Sequence, residues 1–415
     1  MVECKKLKVF LKKFLKSVKW INEHIKIFFL SNPKLVDKHF INIIFGTEKI
    51  YKEKNILSSF FNKKLNVALA YNVKPESDSF PASVSLNSNN QSQNLNSEMD
   101  EFAEWDTWET INAVKDAISL YNNVTLIEAD EEAYNKFREV KPDIVFNIAE
   151  GAFGVSREAQ IPAMLDMLQI PYTGSDALTL AICLDKARTK EILSYYKVPT
   201  AKFFVADKIE DAENHNLNFP MIVKPISEGS GKGIYASSFV HSKEELKREI
   251  IRITSEYNQS ALVEEFLSGR EFTVAMLGNN GDARVLPAIE MRYDKYPAGT
   301  APLYSYEAKW ILDTKENDFD VFDCPANITK ELEAKINKVC TDTYRVLKCR
   351  DWSRIDLRLD KNGEPNIIEI NPLPGIIPDP NENSSFPKAA RAAGIEYNDM
   401  INTVLASAVK RYNLL

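Results

Sequence analysis

Arg354, Asp356, Glu369 and Asn371 lie within one stretch, RIDLRLDKNGEPNIIEINPLPG, at spacings that could do chemistry. Asn362-Gly363 near its centre is a strong signal for a hairpin turn. Across that turn Asp356 and Glu369 can face each other. Glu369 and Asn371 are two apart and share a sheet face, as do Arg354 and Asp356. Two carboxylates on one apolar sheet are costly without a cation between them. Two carboxylates and an amide oxygen suit magnesium, which takes few protein oxygens and completes its shell with substrate phosphates. Ile355, Leu357, Leu359, Ile368 and Ile370 are assigned to the opposite, buried face. The plain alternative is an exposed polar face on an edge hairpin. The apolar row behind it favours the floor of a cleft.

A second candidate is VKPISEGSGKG, with Gly229, Gly231 and Gly233 among serines. Glycine removes the Cβ barrier, so backbone N–H groups in such a loop can approach phosphate oxygens. The P-loop pattern GxxxxGK[ST] is absent. Lys224 brings a cation to the same space, and Ser230 sits at the tip. An ordinary flexible hairpin loop explains the glycines equally well when they are taken alone. LVEEFLSGREF adds Glu264, Glu265 and Glu271, carboxylates that could accept bonds from sugar hydroxyls or could form a solvated acidic rim.

These residues need a scaffold. LNVALAYN reads as a strand, TWETINAVKDAISLY as a helix capped by Thr107, and VTLIEAD, EEAYNKFREV, PDIVFNIA and AQIPAMLDMLQ as strand, helix, strand, helix. Such alternation predicts a parallel, doubly wound sheet over 66–172. DALTLAICLDKARTKEILSYYKV predicts a helical pair. FPMIVKPISEGSGKGIYAS predicts strand, glycine loop, strand, and SKEELKREIIRITSEY a helix. SALVEEFLSGREFTVAMLGN is expected to form a hairpin turning at SGR. TKELEAKINKVCTDTYRVLK and NDMINTVLASAVKRY predict further helices. The division expected is 1–65 as a basic helical extension, 66–172, 173–257 and 258–415, with a polar low-complexity loop over 75–100.

The 415 residues carry a formal charge of −7, although residues 1–66 are strongly basic. In residues 1–30 apolar positions recur every three or four residues among lysines, an amphipathic helix. One reading packs it on the body or on a partner chain; another lays it on an anionic membrane surface. No base-reading motif accompanies the lysines, so nucleic acid is not an expected partner. Five scattered cysteines without CxxC point to a reduced, cytoplasmic setting. Four scattered histidines argue against a zinc site.

Taken in order, IPYTGSDALTLAICLDKARTK, VKPISEGSGKG, LVEEFLSGREF, YEAKW and RIDLRLD…IIEINPLPG resemble the motifs of ATP-grasp ligases, and among them the D-alanine–D-alanine ligase group. The resemblance implies an α/β chain: a Rossmann-like N-terminal domain, then a two-subdomain ATP-grasp fold of α+β character. It implies ATP and magnesium (two ions, with manganese as a substitute). Lys186 and Lys224 would contact the phosphates, and Glu228, Gly229, Ser230, Gly231 and Gly233 would close over them. Glu264 and Glu265 would lie at the adenine end and Glu271 at the ribose. Lys309 would reach the phosphates from a loop. Asp356, Glu369 and Asn371 would hold metal, and Arg354 would stabilise transferred charge. The implied reaction forms an acyl phosphate that an amine then attacks, with amino acids or small peptides as substrates. A homodimer is compatible with this reading.

The amino-acid side departs from the family pattern. Glu109 takes the place of the glutamate that holds the substrate amine. Glu150 stands in Ala-Glu-Gly where the family has His-Gly. Arg157 and Glu158 stand where it has Gly-Glu-Asp-Gly. PGIIPDPNENSSFP is longer than usual, with Gly375 and Ser384 at the substrate. Three readings stay open: a D-alanyl-D-alanine ligase, a ligase for other amino acids or dipeptides, and a nucleotide-binding regulatory protein that has lost ligation. Intact Arg354, Asp356, Glu369 and Asn371 argue against the last.

Overall fold

The computed structural model describes residues 57, 60, 61, 63–75, 102, 104–296, 300–303 and 321–415. The amphipathic helix expected over 1–30, most of the polar loop and Lys309 lie outside these residues. Residues Phe60–Leu415 form one compact unit. Among the described residues no helix is long and apolar enough to cross a membrane.

Strands β1 (Asn66–Tyr71), β2 (Asn123–Glu128) and β3 (Ile144–Asn147) form a parallel sheet in the order β2-β1-β3. From Val67 onward every residue of β1 is buried, as a parallel strand covered on both faces requires. Ala68, Ala70 and Val145 pack with Phe137 and Leu165 from the helices Ala133–Val140 and Gln160–Leu168. The helix Trp108–Ser119 buries Ile111, Val114 and Ile118, and Thr107 caps it by accepting from Thr110 N. Asn402 Nδ2, on the C-terminal helix Tyr397–Tyr412, donates to the carbonyl of Ala117 at 2.7 Å and joins the two helices.

Strands β4 (Phe203–Ala206), β5 (Met221–Pro225), β6 (Phe239–Val240) and β7 (Ala261–Glu265) form an antiparallel sheet ordered β4-β7-β5-β6. The helix Lys243–Glu256 covers one face with Leu246, Ile250 and Ile253. A six-stranded sheet holds β8 (Glu271–Leu277), β9 (Arg284–Val285), β10 (Ile289–Met291), β11 (Phe322–Asp323), β12 (Trp352–Leu359) and β13 (Pro365–Asn371). Its order is β11-β10-β8-β12-β13, with β9 beside β8. The helix Lys330–Val346 packs Ile336 and Cys340 against Phe272, Ile355, Leu357 and Ile367. Truncating a fully buried member such as Ile355 to alanine costs about 2–5 kcal/mol.

Three local expectations need correction. LVEEFLSGREF is not a hairpin: β7 pairs with β4 and β5, whereas β8 pairs with β10 and β12. The chain crosses between sheets at 266–270. There Phe266 N donates to Pro220 O, Gly269 N to Leu359 O and Leu359 N to Arg270 O, so each sheet captures one end. Sheet membership therefore changes after Glu265, whereas the expected division at 257/258 precedes β7. Second, the strand after the glycine loop begins only at Phe239, behind a short 3-10 turn at Ala236–Ser238. Third, the β12–β13 register shifts by one residue between Asp356 and Leu357. Asp356 faces Glu369 while Leu357 faces Ile367, so Ile367 enters the core and the bulged Ile368 lines the cleft instead. An apolar segment missed in the sequence forms the helix Ser385–Ala392.

Candidate active site

A cleft runs between the glycine loop and the open face of the six-stranded sheet. Its wall includes Ala201, Ile222, Phe266, Leu267 and Met291 at an apolar region. Lys224, Gly229, Ser230, Gly231, Glu264, Glu265, Glu271, Arg354, Asp356, Glu369, Gly375 and Ser384, all singled out from the sequence, line the same cleft.

At the floor, β12 and β13 put Asp356 opposite Glu369 and Arg354 opposite Asn371. The Arg354 guanidinium lies 3.0 Å from Asp356 Oδ2 and 3.4 Å from Glu369 Oε1. Thr273 Oγ1, from β8, donates to Asp356 Oδ1 at 2.8 Å. Lys186 Nζ stands 3.5 Å from Glu369 Oε2. Burial disfavours charge on Glu369, but Lys186, Lys224 and Arg354 outweigh it and pull the carboxyl down to about 2. Asp356 goes the other way: burial and the charge of Glu369 raise it, against the pull of Arg354. Asn371 Oδ1 accepts from Leu373 N at 3.0 Å.

This donor set fits a hard divalent cation. It offers two facing carboxylates and an amide oxygen, with guanidinium and ammonium groups already compensating the charge. Among the described residues no group of three or more His, Cys, Asp or Glu side chains forms a metal shell. Any cation here would draw further ligands from substrate.

The glycine loop follows β5. Gly233 has φ +72°, and a Cβ there would stand 2.4 Å from Pro225 Cγ, so only glycine lets the loop fold back on the strand that feeds it. Lys224 and Lys190, both buried, clasp Glu264 at 2.9 and 2.6 Å. Burial opposes the charge of Glu264, but these two ammonium groups hold its carboxyl below the usual range. Lys190 was not foreseen. It is cationic on a helix face that otherwise looks structural, and its partner lies on a different sheet strand. Glu265 pairs instead with Lys202 and with Asn218 N.

Glu228 was expected to touch nucleotide. Its carboxylate is held by Lys232 at 3.2 Å, by Arg157 at 3.5 Å and by Gln259, and its carbonyl accepts from Lys186 Nζ. It also lines the cleft, so it anchors the loop from within the site. Arg157 is likewise engaged: it donates to Ser227 O at 2.9 Å and makes a bidentate pair with Glu104, at 2.8 Å for the closer contact. Glu104 was missed in the sequence. Its Oε1 would lie 2.2 Å from a Cβ at Gly229, so it packs directly beneath the loop. Glu109 does not join this group; it is exposed in the first turn of its helix.

Glu150 and Glu158 stand beside Arg157. Burial pushes Glu150 well above the usual carboxylate range, and the charges of Glu158 and Glu104 add to it. Burial and Glu104 push Glu158 up to about 8, against Arg157 and Lys186. Ser384 closes the lengthened loop after Gly375: its hydroxyl accepts from Ile377 N at 3.1 Å and donates to Gly375 O at 3.2 Å.

Comparison with known proteins follows the same lines. The family model described as D-ala D-ala ligase C-terminus matches residues 191–406, just over half the chain. A D-alanine–D-alanine ligase of Pelotomaculum thermopropionicum is 32% identical over 72% of this chain and 90% of its own length. One from Haemophilus ducreyi is 34% identical over 72% and 91%. An uncharacterised protein of Sinorhizobium fredii is 36% identical over 65% and 75%. In fold, the chain is similar to the crystal structure of a D-alanine–D-alanine ligase from Bacillus anthracis complexed with ATP. That match has a TM-score of 0.58 at 22% identity and covers 84% of this chain and 99% of the other.

Proposed function

This chain belongs to the D-alanine–D-alanine ligase family, and from that premise we propose that it joins two D-alanines, or a closely similar pair, through an amide bond. It is an ATP-dependent ligase of the ATP-grasp fold. The observation that carries the assignment of the site is the chemistry gathered in one cleft. One cleft is lined by apolar Ala201, Ile222 and Met291, by Glu271, by the glycine loop with Lys224, and by Arg354, Asp356 and Glu369. Base, sugar, phosphates and reacting group would each meet partners there.

Lys186, Lys224 and the backbone of the glycine loop bind and orient the phosphates. The substrate carboxylate attacks the γ-phosphorus of ATP, the bond to the β–γ bridging oxygen breaks, ADP leaves, and an acyl phosphate forms. The amine of the second amino acid then attacks the acyl carbon, phosphate departs, and the nitrogen loses a proton. Arg354, held between Asp356 and Glu369, is placed to stabilise the charge that develops in both steps. Asp356, Glu369 and Asn371 would hold two magnesium ions, with manganese as a substitute. Bound there, the metal withdraws charge from phosphate oxygens. The glycine loop and its anchors exclude water that would hydrolyse the acyl phosphate. The proposed setting is cytoplasmic, in keeping with five scattered cysteines that form no CxxC.

A second reading, in which other amino acids are joined, is favoured by one observation. Glu150, Arg157 and Glu158 stand where the family pattern differs, and Arg157 is tied to Ser227 O and Glu104. ADP release measured with pairs of D- and L-amino acids, together with product masses, separates the readings. D-alanine-dependent release with a dialanine mass is expected. Release with every pair except D-alanine overturns the first reading. Glu369→Gln is expected to lower turnover by about 100-fold or more with the fold intact, since it removes one of the carboxylates that would hold the metal. Unchanged release would refute the site.

A further inference from the structure

Arg358 has no role in the account above. It is 5% exposed and lies on β12 opposite Glu271 of β8. Its Nη1 donates to Glu271 Oε2 at 3.0 Å and to Pro302 O at 2.8 Å, and its Nε donates to Gly269 O at 3.0 Å. The guanidinium carbon lies 4.3 Å from the ring centre of Phe266 and 5.2 Å from that of Tyr293. One side chain thus ties together the crossing at 266–270, the start of β8 and residues 300–303. Phe266, Glu271, Leu303 and Arg358 all line the cleft.

Burying a guanidinium carries a desolvation penalty of several kcal/mol. Here it is offset by what only arginine offers: a planar fork for several acceptors and a face for aromatic rings. Two carbonyls and two rings would satisfy a purely structural clamp. The further contact goes to a carboxylate that lines the cleft, Glu271. An ionised carboxylate is acceptor-only, so it takes two sugar hydroxyls best when charged and correctly turned. Burial pushes Glu271 upward, and Arg358 pulls it back; Tyr293, Asp356 and Lys224 are the other titratable groups facing it.

We propose that Arg358 is the positioning residue for the sugar of the nucleotide: it holds Glu271 in one orientation and shapes the slot around it, so that ribonucleotides are taken over deoxyribonucleotides. The proposal rests on reading Glu271 as the acceptor for sugar hydroxyls. A lysine at 358 supplies charge but not the fork, and a methionine supplies neither.

The test is KM and kcat of the full chain for ATP, 2′-deoxyATP and 3′-deoxyATP, in wild type, R358K, R358M and E271Q. Wild type is expected to prefer ATP over at least one deoxy form. R358M is expected to raise KM for ATP about tenfold, the worth of one charge-assisted hydrogen bond. KM for the disfavoured deoxynucleotide and for amino acids should stay within about twofold, as amounts to losing only the sugar contact. R358K should recover part of the preference, and E271Q should lose it. If wild type shows no preference, or E271Q keeps it, the reading of Glu271 falls and takes the proposal with it. If E271Q loses the preference while R358M keeps it, Arg358 is a structural clamp alone and the proposal falls by itself. Should R358M not fold, R358K and R358Q carry the same criteria.

Discussion

Between Arg157 and Gly229 sits the carboxylate of Glu104, two of its bonds spent on the guanidinium and its edge against the glycine loop. Arg157 in turn reaches Ser227 O and Glu228, so one carboxylate governs the seat of a loop far away in sequence. Glu104→Gln removes a charge-assisted bidentate pair, each bond of which is worth about 1.5–3 kcal/mol. We expect KM for ATP to rise several-fold or more, since the loop loses its footing. Glu109→Gln, on an exposed helical turn, should leave both KM and kcat within about twofold, as surface changes do. Steady-state kinetics of the two variants check this, and equal effects would refute it. Arg354, Asp356 and Glu369 were legible in the sequence because a hairpin turn fixes who faces whom. Glu104 was not, because it follows a polar stretch with no periodicity, and its partner is chosen by tertiary packing.

At the scale of elements, local pattern gave the long helices and most of the strands but not β4, β11 or the helix Ser385–Ala392, since helix caps and apolar periods are properties of neighbouring residues. Sheet partners are not. β7 and β8 are separated by five residues and still belong to different sheets, because each pairs elsewhere: β7 with β4 and β5, β8 with β10 and β12. The shift that turns Ile368 into the cleft was equally hidden, as an extra residue in one strand leaves the composition of the hairpin unchanged. The glycine loop permits a direct check. Gly233→Ala places a Cβ against Pro225 at positive φ, a strain of about 1–3 kcal/mol. Gly281→Ala meets nothing within 4 Å and should be close to neutral. Denaturant unfolding of the pair is expected to show loss only in the first.

For the molecule as a whole, buried carboxyls held protonated shape how stability follows pH. Burial lifts Asp106 from 3.8 to about 7 and Glu158 from 4.5 to about 8, and Glu150 moves the same way. In that window the folded chain keeps protons the unfolded chain has already released. Stability is therefore greatest toward the ordinary values and declines as pH rises through 7 and 8. The ligand-free protein should melt at a higher temperature at pH 6 than at pH 8, and Glu158→Gln should flatten the difference. A melting point that climbs with pH would contradict the burial described here.

Arg354 and Lys186 already neutralise the facing carboxylates of β12 and β13. Their presence separates two events that many metalloproteins couple. A chain that needs an ion to hold its acids together cannot be stored without it, and its lifetime follows metal supply. This chain carries its own counter-charges, so we expect maturation and metal supply to be independent, and the ion to come and go with each nucleotide. Excess chelator should stop turnover at once while leaving the melting temperature of the ligand-free protein where it was. Added magnesium should restore the rate without a refolding lag. Seen this way, the ion is a travelling companion of the nucleotide rather than a resident of the protein.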